Sequence, residues 1–285
     1  MQIRTVGVLG CGLMGSGIAQ VSAAAGYKTI VREVDDARLQ KGLDRIKRFL
    51  DDGVAKGKVT SDARQSTLAN LSGATTFDRF ASCDLVIEAI VENAEAKKEV
   101  YRALEAVLGE HAIIVSNTSS ICIMELAAAT KRPDRVGGLH FFNPVPIMKL
   151  VEVVRALTTS DSTYQAIFAF AQSLGKAPVT APDRPGFIVN RLLVPYLLDA
   201  VRAYENGLGT LQDIDTAMKL GCGYPMGPFT LLDFVGLDTT YYIANIMFEE
   251  FREPAYAPPP LLKRMVLAGR LGRKSGEGFY KYPVE

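Results

Sequence analysis

The sequence predicts an α/β fold in two parts, a doubly wound, mostly parallel sheet over residues 1–184 and an all-α domain over 185–285. Three observations predict it. Short apolar runs alternate with longer mixed stretches through the first half of the chain, a pattern of crossover connections and parallel strands covered on both faces. The segment APDRPGF at 181–187 carries two prolines and a glycine, punctuates the chain, and is followed by no clear strand run. A length of 285 residues suits about two domains.

The elements follow in order. IRTVGVLG reads as a buried strand, and Met14 to Ala25 as a helix with Met14, Ile18, Val21 and Ala25 at helical spacing. YKTIVREV is a second strand. A helical hairpin over about 36–71 comes next. Its first arm carries Leu39, Leu43, Ile46 and Leu50 on one face, Lys56-Gly57-Lys58 breaks it, and its second arm runs from Ser61 to Leu71. CDLVIEAI is a strand ending in a carboxylate, followed by the helix NAEAKKEVYRALEAVL, the strand AIIVSN and a helix over 122–130. RVGGLHFF and MKLVEVV are strands, 161–174 is a helix, and a short strand lies near Pro178. In the second part, IVNRLLVPYLLDAVRAYENG reads as a helix interrupted or kinked at Pro195, and TLQDIDTAMKLG as a threonine-capped helix stopping at Gly221. GPFTLLDFVGLDTTYYIANIMFEEF is a third helical segment and PLLKRMVLAG a fourth.

Composition narrows the function classes. With 48% hydrophobic and 22% charged residues the chain is an ordinary globular one, and a net charge of +1 gives no field for nucleic acid or an anionic membrane. No apolar run is long enough to span a bilayer, and the N-terminus opens on a strand pattern rather than a signal sequence, so the expectation is a cytoplasmic protein. The four cysteines, Cys11, Cys83, Cys122 and Cys222, form no CxxC pair. They suggest neither a zinc site nor a disulfide framework, and are expected as small buried hydrophobes. The apolar second part is expected to be covered in part by a second copy of the chain.

GVLGCGLMGSGIAQ, residues 7–20, places Gly10, Gly12 and Gly15 between a strand and a helix, and a second strand then ends at Glu33. This is the context a dinucleotide fingerprint requires. Gly10 permits the tight turn, Gly12 clears room for a pyrophosphate, and Gly15 lets helix and strand approach. The N–H groups at the helix start face the phosphates. Glu33 is placed to accept from ribose hydroxyls. It favours NAD over NADP because a carboxylate repels a 2′-phosphate, while the neighbouring Arg32 and Arg38 leave NADP open.

A dehydrogenase acting on an alcohol needs a base, and histidine titrates near neutrality. The chain has two histidines. His111 sits at a polar turn and is expected on the solvated surface. His140 sits at the C-terminal end of a predicted strand, the edge where open α/β sheets bind ligands. Glu152 lies in the next apolar run and needs a partner if buried; an imidazole paired with it forms a base with its orienter. SNTSS at 116–120 follows another strand end, and Asn190 opens the first helix of the second part, facing back across the domain boundary. Their hydroxyl and amide groups suit a substrate oxygen on which charge develops.

These segments, with DLVIEAIVEN, GLHFFNPVPIMKLVEVV, PGFIVNRLLVPYL, DIDTAMKLGCGYPMGPF and GRKSGEGFYKY, make the chain resemble the L-3-hydroxyacyl-CoA dehydrogenase family essentially end to end, and its bacterial 3-hydroxybutyryl-CoA branch above all. The resemblance implies a Rossmann-like N-terminal domain, an all-helical substrate and dimerisation domain, an acyl-CoA substrate and hydride exchange with NAD(H). It implies that His140 is the acid/base, Glu152 its carboxylate partner, and Ser119 and Asn190 the groups around the substrate's 3-oxygen. It implies that Gly10, Gly12, Leu13, Met14, Gly15, Glu33, Glu92, Lys97, Ser119, Asn143 and Lys274 contact the cofactor, and that Lys56, with Ser119 and Asn190, contacts the acyl-CoA. The ribose position carries Glu33 where the family more often has Asp. Two other readings stand beside this one: a dehydrogenase of the same build acting on a free hydroxy acid such as a sugar acid, and a non-catalytic, crystallin-like relative. Intact Ser119, His140, Glu152 and Asn190 speak against the latter.

Overall fold

A computed structural model describes residues 2–283, and the chain divides between Arg184 and Pro185 into two compact units. The first is built on an eight-stranded sheet in the order β3-β2-β1-β4-β5-β6-β7-β8. Its strands are β1 (Thr5–Leu9), β2 (Lys28–Arg32), β3 (Leu71–Ala74), β4 (Leu85–Glu88), β5 (Ile113–Ser116), β6 (Val136–Phe141), β7 (Leu150–Arg155) and β8 (Ala177–Pro182). Neighbours pair in parallel except β6 and β7, which run antiparallel. β1 lies between β2 and β4, so the strand order reverses there. This is the switch point of a Rossmann-like sheet, and a crevice opens beside it at the C-terminal strand ends.

Helices α1 (Leu13–Ala24), α2 (Asp36–Ala55), α3 (Ser61–Ala69), α4 (Ala94–Glu105), α5 (Ile123–Ala127) and α6 (Asp161–Ser173) fill the connections. Four start on side-chain caps: Asp35, Thr60, Asn93 and Ser160 each accept an N–H from the first turn of α2, α3, α4 and α6. One core joins Val6, Val8 and Val31 of the sheet to Ile18 of α1, Ile46 and Leu50 of α2, and Ile167 and Phe170 of α6.

The hairpin does not reach residue 71 as a helix. Leu71 opens β3, which pairs in parallel with β2 from Thr29. LSGA is half-buried along its length and holds no β-branched residue, so neither propensity nor alternation marks it; the unpaired edge of β2 makes it a strand. The cysteines also divide. Cys11 and Cys83 are buried, but Cys222 is exposed and Cys122 is half-buried with its thiol donating to Asp183 Oδ2 at 3.1 Å. His111 is largely exposed and lies 3.3 Å from Asp84 Oδ1.

The second unit is helical: α7 (Val189–Glu205), α8 (Leu211–Cys222), α9 (Pro228–Val235), α10 (Leu237–Phe251) and α11 (Pro260–Leu267). α7 runs unbroken through Pro195. α8 starts on Thr210 and runs past Gly221 to end at Gly223 in the left-handed conformation. The long apolar segment is two helices, parted at Gly236, whose φ of 102° no helix residue adopts. Two buried carboxylates fasten this unit. Asp215 accepts N–H bonds from Phe229 and Thr230 and the Tyr280 hydroxyl. Asp233 accepts the N–H groups of Phe279 and Tyr280 and the Tyr282 hydroxyl. Asp233→Ala leaves those donors without their acceptor and is expected to lower the unfolding free energy by about 2–4 kcal/mol in urea titration; a loss under about 0.5 kcal/mol would show that the tail is not fastened there.

Candidate active site

The glycine turn is built for a close approach. Gly10 has φ +88°, and a Cβ on Gly15 would fall 1.8 Å from the Gly10 carbonyl oxygen, so neither position accepts a side chain without moving the backbone. A Cβ on Gly12 would meet no protein atom within 4 Å, so the space beside it is open. Gly12 caps α1 with no side-chain bond, and α1 has no acidic residue in its first turn. The N–H groups of Leu13, Met14 and Gly15 therefore have neither an intrahelical acceptor nor a side-chain cap, and the helix dipole adds positive potential. This arrangement fits a pyrophosphate.

Glu33 follows β2 and is held by two backbone donors, Cys11 N–H at 2.8 Å and Val34 N–H at 3.0 Å. Neither nearby arginine is presented beside it as a spare cation. Arg32 stacks 4.2 Å from the Phe77 ring centroid and donates to the Thr75 carbonyl, and Arg38 pairs with Asp35 on the surface. Asn143 lies beside this turn, joined to Pro144 by a cis peptide bond, and lines a small cavity with Leu13, Ser16, Arg45 and Phe49.

Across the switch point, the ends of β4 and β5 carry a polar network. Glu88 closes β4 and is fully buried, as is Lys97 on the inner face of α4. Lys97 Nζ lies 2.6 Å from Glu88 Oε1 and 3.2 Å from Glu92 Oε2. Glu92 Oε1 accepts the Thr118 hydroxyl at 2.5 Å, the Ser119 N–H at 3.0 Å and the Ser120 hydroxyl at 3.0 Å. Burial pushes the Glu92 carboxyl up, but the Lys97 ammonium and the Thr118 and Ser119 bonds outweigh it and hold the group below its ordinary range. Asn117 ties the same loop to the next strand, its Oδ1 accepting the Phe141 N–H at 2.9 Å.

His140, one residue from the end of β6, stands directly opposite Glu152 of β7 in the antiparallel register. The two are buried, and Nδ1 lies 2.6 Å from Glu152 Oε2. Glu152 accepts the hydrogen bond of the Nδ1–H tautomer, which keeps the ring proton on Nδ1 and the lone pair on Nε2. The Phe142 ring, 4.5 Å from the imidazole centroid, braces it. Glycine turn, Glu88, the 116–120 loop and His140 thus share the C-terminal edge of β1, β4, β5 and β6.

The remaining candidates are carried by other elements. Lys56 caps the C-terminal end of α2. Asn190 sits in the first turn of α7, and Lys274 in a 3-10 turn, 2.6 Å from Asp238; both belong to the second unit. Sequence reasoning passed over Glu88 and Asn117 as site residues. The available signal was a carboxylate closing an otherwise apolar strand at the ligand edge.

The fold and this edge define a dinucleotide-binding protein carrying a buried imidazole–carboxylate pair. The family model of the 3-hydroxyacyl-CoA dehydrogenase NAD binding domain matches residues 5–184, and that of the 3-hydroxyacyl-CoA dehydrogenase C-terminal domain matches 186–282. A 3-hydroxybutyryl-CoA dehydrogenase of Mycobacterium tuberculosis is 51% identical over 282 residues, covering 98% of this chain and 99% of the relative. The human mitochondrial hydroxyacyl-coenzyme A dehydrogenase is 48% identical over 289 residues, covering 98% and 91%. Among solved structures, (S)-3-hydroxybutyryl-CoA dehydrogenase PaaH1 from Ralstonia eutropha matches with a TM-score of 0.96 at 45% identity, covering 99% of this chain and 100% of that one. The chain belongs to the 3-hydroxyacyl-CoA dehydrogenase family.

The Glu92 bonds carry a pH dependence. A carboxyl held below its ordinary value of 4.5 contributes stability that is complete above that value and is lost as pH falls through the lower, folded value. Glu92→Gln is therefore expected to melt about 2–5 °C below the parent at neutral pH, with the gap closing as pH is taken from 7 down through and below 4.5. A gap constant across that range would contradict the network.

Proposed function

We propose that the protein interconverts (S)-3-hydroxyacyl-CoA and 3-oxoacyl-CoA with NAD(H), favouring short chains such as 3-hydroxybutyryl-CoA and acetoacetyl-CoA. The observation that carries the reading is the buried His140–Glu152 pair, 2.6 Å apart at the sheet edge that also bears the glycine turn. The names of relatives at 46–51% identity over nearly the full length supply the substrate class.

A bound NAD(H) would supply the acceptor or the donor for the hydride that leaves or reaches C3 of the substrate. His140 Nε2 takes the proton of the C3 hydroxyl as the alcohol is oxidised, and the protonated ring returns it to the incipient alkoxide in reduction. Glu152, fixed across the strand pair, stabilises the imidazolium and holds the ring's tautomer. Ser119 and the Asn190 amide hold the 3-oxygen. Gly10, Gly12, Leu13, Met14 and Gly15 cradle the pyrophosphate, Glu33 accepts from the adenosine ribose, and Glu92, Lys97, Asn143 and Lys274 serve the rest of the cofactor. Lys56 meets the CoA phosphates. Glu33, with Arg32 turned onto Phe77, supports NAD rather than NADP.

The working form in this reading is a cytoplasmic homodimer joined through the second unit. Leu192, Leu220 and Leu267 are exposed on its helices, an apolar surface that association would cover. No helix among the described residues is long and apolar enough to cross a membrane.

His140→Ala is expected to lower turnover of acetoacetyl-CoA with NADH about a hundred- to ten-thousand-fold while NADH binding, read by fluorescence titration, persists. Near-native turnover in that variant would refute the assignment. For the assembly, sedimentation equilibrium should give the mass of two chains, and Leu192→Glu with Leu220→Glu should shift it toward one; a parent sedimenting as one chain refutes the dimer.

A further inference from the structure

One carboxylate at the ligand edge has no role in this chemistry. Glu88 is fully buried, and both its oxygens are engaged. Oε1 accepts Lys97 Nζ at 2.6 Å and the Ile90 N–H at 2.8 Å, and Oε2 accepts the Ser116 hydroxyl at 2.6 Å. Desolvating an ammonium and a carboxylate is expensive, and apolar residues of the same volume often serve stability as well or better. Stability alone therefore does not account for the pair.

Its position does. Glu88 registers against Leu9 of β1 on one side and Ser116 of β5 on the other, beside the glycine turn, where Ala89 packs against Gly10 and Gly15. Two routes lead from it to the loop that carries Ser119. In one, Lys97 bridges Glu88 to Glu92, and Glu92 takes the Thr118 hydroxyl and the Ser119 N–H. In the other, the Ser116 hydroxyl donates to Glu88 while its oxygen accepts the Thr118 N–H at 3.1 Å. Both routes end on a loop in which Thr118 and Ser120 are buried and Ser119 is half-buried.

We propose that Glu88 is a positioning residue for hydride transfer: without touching substrate, it sets the Lys97 ammonium and, through Glu92 and Ser116, the 118–120 loop. This rests on the function proposed above. Glu88→Gln keeps an oxygen for one of its donors but removes the charge that balances Lys97. The ammonium then turns to Glu92 and draws that carboxylate off Thr118 and Ser119.

Two variants test this. In cofactor-free Glu88→Gln, amide exchange at Ser119 is expected to accelerate at least about tenfold while β5 amides keep their protection, and kcat with acetoacetyl-CoA and NADH is expected to fall about 10- to 100-fold. The double variant Glu88→Met with Lys97→Met guards against a folding defect. It removes both charges at once, is expected to melt within about 5 °C of the parent, and still shows fast exchange at Ser119, because the Ser116 hydroxyl has lost its acceptor and Glu92 its ammonium. Native Ser119 exchange in either folded variant, or native kcat in Glu88→Gln, overturns the proposal, as does a double variant that melts far below the parent, since the pair would then serve stability. The exchange measurement uses no ligand. It reads the linkage even if His140→Ala keeps its turnover and the proposed function falls.

Discussion

A carboxylate buried as completely as Glu152 must be held by donors, and the fold supplies one by reversing strand direction between β6 and β7. β7 runs antiparallel to β6 in a sheet whose other ladders are parallel. In an antiparallel pair, directly opposed residues project from the same face, so one register places His140 and Glu152 side by side. A slip of one residue would send the carboxylate to the other face and leave the ring without its partner. The apolar neighbours of Glu152, Val151 and Val153, are fully buried and forbid that slip. The core thus fixes the chemistry: packing on both faces of β7 decides the hydrogen bond at its centre.

The same constraint explains why the site lies along one edge. Strands covered on both faces admit unpaired polar side chains most readily where the ladder ends, because each buried polar group needs a partner that an apolar interior lacks. Leu9 gives way to the glycine turn, Arg32 to Glu33, Val115 to Ser116, and Ile87 to Glu88. Each transition occurs at the C-terminal end of a parallel strand, and each polar group there finds a donor or acceptor from the next loop. Glu88 and Ser116 carry this furthest, since their side chains bond one another across paired strands.

Much of this was legible before any coordinates. The alternation of apolar runs and amphipathic stretches revealed the parallel sheet, the glycine spacing located the turn, and an acid in the run after His140 marked the pair. What escaped had physical reasons. β3 depends on a neighbour's open edge rather than on its own residues. The break between α9 and α10 is a single glycine inside a continuous apolar run, and apolar periodicity passes straight through it. α7 keeps its Pro195 because a helix packed by Val194, Leu197 and Leu198 into its unit's core loses one hydrogen bond to the missing N–H without losing its burial. Lys97 reads as one of several charges on a surface helix. Only its alignment with Tyr101 and Leu104 on the face of α4 that is buried separates it from Lys98, which pairs with Glu95 and Glu125 at the surface.

Charge placement at the cofactor's two ends shows why residue type alone could not settle selectivity. At the ribose end the sequence offers three carboxylates and two arginines over residues 32–38, Arg32, Glu33, Asp35, Asp36 and Arg38. Counted as charges, they do not say which of them faces a ribose. In space they divide. Arg32 spends its guanidinium on an aromatic face and a carbonyl, an arrangement suited to its planar, weakly hydrated cation. Arg38 pairs with Asp35 in solvent, where such pairs hold weakly and salt screens them. Glu33 alone is pinned by two backbone donors, one of them from Cys11 inside the glycine turn. The glycine turn therefore also orients the acid beside it. A substitution at Glu33 would release the Cys11 N–H inside that turn, so the turn and the acid are one local structure.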